Sequence, residues 1–354
     1  SGEQFQSEIS ADVSVGRKKI LLSSGGGSTL QVTDASNPAN PQLQQRVSYG
    51  TYTSTSVAAH KDLVAVALVP DDYNTTPSKG VVRFFRMGGD GSLAFLQDVT
   101  VGYLPDGIAF SGDGRQLVIA NEGQPSSTYG SDPIGSVGII DINSPRPTSA
   151  PGAKSARPQS GGQDFSRVGF RYTDLSFAGV ALPGSLRISG PSGTAPSQDI
   201  EPEYVSIRGD KAYVTLQENN GVAIVNLRNR RIEDVHDLRS VDFSRQAVDL
   251  SDRDGPSNSS LFLPRFGQQF QGLRMPDGIS AFSAQGRTYY ITANEGDARE
   301  YDTYTDVKRN AASPNGRLNT IVDPAPDGPS TTISIGSRSL SIFDARSGAL
   351  TWDS

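Results

Sequence analysis

Met275-Pro276-Asp277-Gly278-Ile279 opens a short apolar run, the chain turns at Gln285-Gly286, and a second run closes on Asn294-Glu295-Gly296-Asp297. The plan occurs twice more. Leu104-Pro105-Asp106-Gly107-Ile108 turns at Gly112-Asp113-Gly114 and closes at Asn121-Glu122-Gly123; Glu201-Pro202-Glu203-Tyr204-Val205 turns at Gly209-Asp210 and closes at Gln217-Glu218-Asn219. A fainter copy runs from Ser56 through Lys61-Asp62 to Val69. Each copy is a hairpin, because two β-branched runs of strand length flank residues that favour turns. A further strand follows the first two at Ser136 to Ile142 and Gly221 to Leu227, and after the third it waits until Ser339 to Asp344.

Working outward, more short strand-like runs lie at Lys19 to Ser23, Thr29 to Thr33 and Val81 to Met87, and long helical periodicity is nearly absent. Gly 38 and Pro 22, with 35% hydrophobic and 8% aromatic residues, suit many short strands joined by turns. Strand, turn, strand, loop, strand, repeated along a helix-poor chain, predicts an all-β fold, a β-propeller of about seven blades with roughly four strands each. The expected layout is a polar segment over residues 1–16 and one propeller domain over 17–354. Inserted loops at 143–166, 239–271 and 302–337 explain the uneven spacing of the repeats. The chain reaches Trp352-Asp353-Ser354 just after a strand and turn, which reads as an unfinished blade that further sequence or a second polypeptide would close.

Function follows from where the repeats place their acids. The start of a hairpin's first strand and the end of its second share one end, so Asp106 meets Glu122, Glu203 meets Glu218, and Asp277 meets Glu295. With first strands lining a propeller channel, these pairs should gather at one mouth, Glu201 and Asp297 beside them. Crowded carboxylates repel one another unless a cation is present, and calcium, which takes six to eight oxygen ligands, suits them best. Each Pro-Asp-Gly or Asn-Glu-Gly is also an ordinary turn sequence; the case rests on three copies keeping an acid at both positions.

Other chemistries find little support. A net charge of −6 with no long basic run disfavours nucleic acid. Zero cysteines exclude disulfides and thiolate sites, and no apolar run approaches the about 18 residues of a membrane span. His60 and His236 are isolated, which argues against zinc or a Ser/His/Asp triad. Gly25-Gly26-Gly27 lacks a phosphate-loop Lys and reads as a turn, while Asp249, Asp252, Asp254 and Gly255 match only part of a calcium loop, since Leu250 and Leu261 stand where an EF-hand needs acids. Asn74-Thr75-Thr76 and Asn258-Ser259-Ser260 form glycosylation triplets of a kind common by chance. Arg299, Lys308, Arg309 and Arg338 cluster near the third hairpin, where Arg299 or Arg338 could hold the oxygens of an anionic substrate; solvated surface charge is the competing reading.

Asp199-Ile-Glu-Pro-Glu-Tyr204, Val248-Asp-Leu-Ser-Asp-Arg-Asp-Gly255, Met275-Pro-Asp-Gly-Ile279 and above all Thr292-Ala-Asn-Glu-Gly-Asp-Ala-Arg-Glu300 resemble the choice-of-anchor I family. That family includes mesenchyme-specific cell-surface glycoproteins and an atypical group of bacterial alkaline phosphatases. The resemblance runs from about Arg17 onward and implies an exported propeller: extracellular, periplasmic or on the cell surface. Two functions follow as expectations. One is a calcium-dependent phosphoric monoester hydrolase with Arg299 or Arg338 on the phosphate ester; the other is a non-catalytic surface or matrix protein in which calcium stabilises the ring.

Overall fold

The computed structural model describes residues 9–24, 28–143, 168–251, 253, 255–309, 318–322 and 333–354. Four consecutive antiparallel sheets come first. They are β1 (Ile9–Val15), β2 (Lys18–Ser24), β3 (Thr29–Asp34) and β4 (Gln42–Ser48); β5 (Tyr52–His60), β6 (Leu63–Pro70), β7 (Lys79–Met87) and β8 (Leu93–Tyr103); β9 (Pro105–Phe110), β10 (Gln116–Asn121), β11 (Ser136–Asn143) and β12 (Gly169–Ser176); and β13 (Pro202–Arg208), β14 (Lys211–Leu216), β15 (Gly221–Asn226) and β16 (Arg231–Asp237). Then follow β17 (Ser240–Asp242), β18 (Gln271–Leu273), β19 (Pro276–Ala284), β20 (Arg287–Asn294), β21 (Val307–Arg309), β22 (Asn319–Ile321), β23 (Ile333–Ser334), β24 (Ser339–Asp344) and β25 (Leu350–Asp353). Strands β19, β20, β24 and β25 form a fifth four-stranded blade, while β17, β18, β23, β22 and β21 make a separate small sheet in which β18 and β23 run parallel.

The first strands β1, β5, β9, β13 and β19 lie against one another in succession, the inner wall of a propeller. Side-chain alternation builds the core between the blades. Strand β6 reads Leu-Val-Ala-Val-Ala-Leu-Val and is buried on both faces. Val64, Val66 and Leu68 pack with Leu22, Leu30 and Val32 of the preceding blade; Leu63, Ala65 and Ala67 pack with Ile108, Leu117 and Ile119 of the next. Strands β10 and β14 repeat the arrangement. A strand clamped on two faces has no polar side, which is why these runs are continuously apolar. Each outermost strand has one face bare, so β4 reads Gln-Leu-Gln-Gln-Arg-Val-Ser and is largely exposed.

Three boundaries differ from expectation. Ile9–Val15 is not a leading polar segment but pairs along its length with β2, its polar residues facing water at the sheet edge. Within 239–271 and 302–337, short strands build the small sheet. Strand β25 is the fourth strand of its sheet, where the sequence had suggested an unfinished blade. Residues 144–166 of the first expected loop and Gly25-Gly26-Gly27 lie outside the described residues.

One irregularity positions the site. In each strong hairpin the register shifts between the first strand's proline and its third residue onward, so two residues face one: Asp106-Gly107 opposite Ala120, Glu203-Tyr204 opposite Thr215, Asp277-Gly278 opposite Ala293. These are β-bulges, which bend a strand and re-aim a side chain. The faint fourth copy has the same shift between Ser54 and Ser56, with Thr55 where the others carry an acid. Gly107 is required there for a second reason: a Cβ would lie 2.2 Å from the Glu203 carbonyl of the next blade. At Gly278 a Cβ would meet only the Ala293 side chain, at an ordinary 3.9 Å.

Candidate functional site: an acidic cluster at one end of the propeller

The bulged acids and the acids closing the second strands come together at one end. Glu201, Glu203 and Glu218 are almost fully buried, as are Asp199 and Asp306 from flanking loops. Glu122, Asp106 and Asp277 keep partial solvent access. Glu122 is nonetheless packed by protein on most sides: burial, then Asp106, Glu218 and Glu201, push its carboxyl well above the usual range. Glu203 is raised well above it by burial, then by Glu218, Glu122, Asp106 and Asp277. Burial, followed by Glu295, also raises Asp277. Each expected pair is therefore close enough to interact, and the pairs feel one another across blades.

Two arginines divide the cluster. Arg299, the largest fully buried side chain, is 1% exposed. Its guanidinium binds the Asp199 carboxylate, donates to the Asp199 carbonyl at 2.8 Å and lies 3.1 Å from Glu201 Oε2. Arg187 Nη2 donates to Asp306 Oδ2 at 2.6 Å, and its Nη1 donates to the Glu218 carbonyl at 2.9 Å. Asn219 ties the parts together: its Nδ2 donates to the carbonyls of Arg187 and Asp199, and its Oδ1 accepts from Glu201 N–H.

The balance of charge decides what the arrangement can do. Five carboxylates buried to less than a tenth of their surface face two equally buried guanidiniums, an excess of three negative charges before Glu122, Asp106 and Asp277 are counted. Burial of uncompensated charge is costly, so the excess must be met by protons or by a cation. Without a cation, burial dominates and protons fill the gap: Glu201 is pushed up to about 8 even with Arg299 opposing, and Glu218 to about 7. With its amide nitrogen turned inward, Gln217 donates to both Glu203 oxygens, at 3.0 and 2.9 Å. Glu218 Oε2 is buried with no hydrogen-bond partner, as are Arg187 Nε and Arg299 Nε.

The donor set of carboxylate oxygens is chemically right for calcium. Among the described residues, however, no three acidic or histidine side chains already converge as a coordination shell. The site residues expected from sequence thus fall into three groups. Asp106, Glu122, Glu203, Glu218 and Asp277 share the mouth. Glu201 is there too, but its Oε2 faces Arg299. Glu295 is exposed, approaches Arg338 at 3.9 Å and raises Asp277, while Asp297 is exposed at the rim yet still raises Glu122 and Glu218. Arg299, expected on substrate oxygens, is enclosed and committed to Asp199 and Glu201; Arg338 has a 76% exposed side chain. Asp249, from the calcium-loop-like stretch, instead accepts backbone N–H groups of Ser251 and Leu263, and Asp252 and Asp254 lie outside the described residues.

Sequence reasoning missed Asp199, Arg187, Asp306 and a cover of tyrosines. Tyr129 packs edge-on against Tyr301 and Tyr304, at 5.0 and 5.5 Å between ring centres. The loops carrying them are stitched by Asp302 N–H to the Ser127 carbonyl and by the Thr303 hydroxyl to the Thr128 carbonyl. Asp199 was within reach, since Asp199-Ile-Glu-Pro-Glu203 is acidic and Arg299 is the one basic residue of Thr292–Glu300, both strings among those that carry the family resemblance.

The choice-of-anchor I domain model matches residues 8–332, nearly the whole chain. This chain belongs to the choice-of-anchor I family. A choice-of-anchor I domain on a propeller scaffold is a cell-surface domain, exposed outside the cell or to the periplasm, and among the described residues no helix is long and apolar enough to cross a membrane. No curated protein matches the sequence. Solved structures similar to this choice-of-anchor I chain include the periplasmic gluconolactonase of Pseudomonas aeruginosa (15% identity, 95% of this chain and 82% of that one, TM-score 0.42). Hydrazine synthase of Kuenenia stuttgartiensis is similar over 82% of this chain and 80% of that one (11% identity, TM-score 0.41). A nidogen/laminin complex is similar over 63% of this chain (13% identity, TM-score 0.33), and the match spans only 61% of that chain. Such distant likenesses say nothing about activity.

Proposed function

We propose that this choice-of-anchor I domain is a calcium-binding surface propeller, with Glu122, Glu203 and Glu218 as the inner ligands and Asp106 and Asp277 at the rim. The reading is carried by one observation: Glu218 Oε2 is buried without a partner inside a cluster holding excess negative charge. Calcium supplies the missing positive charge and accepts the flexible, oxygen-only donor set. Arg299 takes the same part for Asp199 and Glu201, so those two acids drop out of the ligand set. Because the acids come from three blades, bound calcium stabilises the ring.

The decisive experiment is calcium titration by calorimetry, paired with melting in calcium and in chelator. The expected result is saturable heat and a chelator-lowered melting temperature, both abolished in Glu218→Gln. No heat and identical melting curves would overturn the assignment.

A second reading, a calcium-dependent phosphoric monoester hydrolase, is favoured by the partial solvent access of Asp106, Glu122 and Asp277. An ion held on that side keeps positions open to water and an ester. Arg338 is then the residue available for phosphate oxygens, since Arg299 is enclosed. Calcium-dependent phosphate release from a generic monoester separates this reading from a purely structural or matrix role.

A further inference from the structure

The opposite end of the propeller carries a second site that the acidic cluster does not use. Between the fourth and fifth blades lies a cavity of about 660 Å³, placed where the β13–β14, β19–β20 and β24–β25 turns meet the side of β16. Its mouth, at Lys211, lies at the end of β14 away from the acids, which follow Leu216. Its floor is aromatic and dry: Tyr213 and Ile224 are 4% and 6% exposed, and His236 is 7% exposed. His236 Nδ1 is 3.0 Å from the Tyr290 hydroxyl, and its Nε2 faces Asp234 Oδ2 at 3.5 Å. Burial lowers the proton affinity of the imidazole, and Asp234 acts in the opposite direction. The β24–β25 turn closes onto this ring through Gly348, whose φ is +67° and where a Cβ would lie 2.8 Å from the His236 ring.

The two walls differ in charge. On the blade-four wall Glu233 is already bound by Lys211 and Asn226, but Asp234 is 59% exposed at its side chain and holds only the Val235 N–H and the His236 ring. On the blade-five wall Arg287 and Arg346 are exposed, and neither guanidinium has a hydrogen bond or ion pair among the described residues. Asp344, between them, has its Oδ1 occupied by Arg346 N–H, Ser347 N–H and the Ser347 hydroxyl. The blade-four wall thus offers the Asp234 carboxylate, and the blade-five wall offers two guanidiniums around Asp344, whose charge is shared with Arg287; the net arrangement over the apolar floor complements a dipolar molecule rather than a simple ion.

We propose that this inter-blade cavity binds a small zwitterion, an α-amino acid or a short peptide with free ends, its ammonium on Asp234 and its carboxylate on Arg287 and Arg346. The body of the ligand lies over Tyr213 and Ile224. A peptide's terminal groups and a free amino acid's share this chemistry and differ in the span between charges, which the probes distinguish.

The test is saturation-transfer NMR and calorimetry on the whole chain with glycine, diglycine and triglycine, each compared with its N-acetylated and C-amidated form. The proposal expects at least one uncapped probe to bind saturably and either cap to weaken it by about tenfold or more. Arg287→Ala combined with Arg346→Ala should erase the preference for a free carboxylate, and Asp234→Asn the preference for a free ammonium. These surface variants should leave calcium titration at the far end unchanged, so the two readings fail separately. Absence of saturation by every uncapped probe at about 10 mM, equal binding of capped forms, or unaltered binding in the variants overturns it.

Discussion

Without a cation, the acidic cluster should invert the usual response of a protein to alkali, and Glu218 sets the size of the effect. Its carboxyl titrates near 4.5 in an unfolded chain and about 7 in the folded one, chiefly because burial penalises the charged form. The folded state therefore holds more protons than the unfolded state between those values, and stability must fall as pH rises through them. For Glu218 alone the loss is on the order of 3 kcal/mol, complete above about pH 7. Glu201, raised to about 8, extends the decline in the same direction. Urea unfolding in chelator should thus show a lower midpoint at about pH 9 than at about pH 5. Glu218→Gln, which has no charge to bury, should recover much of that difference. Calcium at about a hundred times its dissociation constant should add roughly 2.7 kcal/mol on the alkaline side, and much less where protons compete. Chelated protein that is equally stable, or more stable, at the higher pH would show that the buried acids are compensated by something other than protons or a metal ion.

Arg299→Met should destabilise the fold by about 3–5 kcal/mol, because it leaves Asp199 and Glu201 buried without their counterion; chemical denaturation would expose this, and a neutral outcome refutes the division of the cluster. Gly107→Ala should cost about 1–3 kcal/mol through the clash with the Glu203 carbonyl, whereas Gly278→Ala, which meets only Ala293 at an ordinary contact distance, should be far milder; similar melting temperatures for the two count against the close approach of the third and fourth blades. Arg338→Ala should change neither stability nor calcium titration, given its exposure, and should reduce ester hydrolysis only if the hydrolase reading holds.

How much of this was written in the sequence depends on which face a residue shows. Strands β6, β10 and β14 were legible because burial on both sides leaves no room for polar residues. Strands β4, β8, β12 and β16 were not, since an outer strand with one wet face reads like a loop. The convergence of Asp106, Glu122, Glu203, Glu218 and Asp277 followed from hairpin geometry and repetition. The position of Arg299 did not: its partners Asp199 and Glu201 lie about a hundred residues away, and nothing in a local pattern tells an enclosed guanidinium from a solvated one. Nor could the bulges be read directly, although the insistence on a residue pair after proline was their trace.

Propellers are repeating arrays, and arrays commonly come apart unit by unit because each repeat touches only its neighbours. The stitching of Asp302 and Thr303 to Ser127 and Thr128 breaks that rule by roping the fifth blade to the third over the head of the fourth. Loosening any one of these blades must slacken the knot for all three, so hydrogen exchange in their central strands should report a single shared opening rather than a staircase of independent ones.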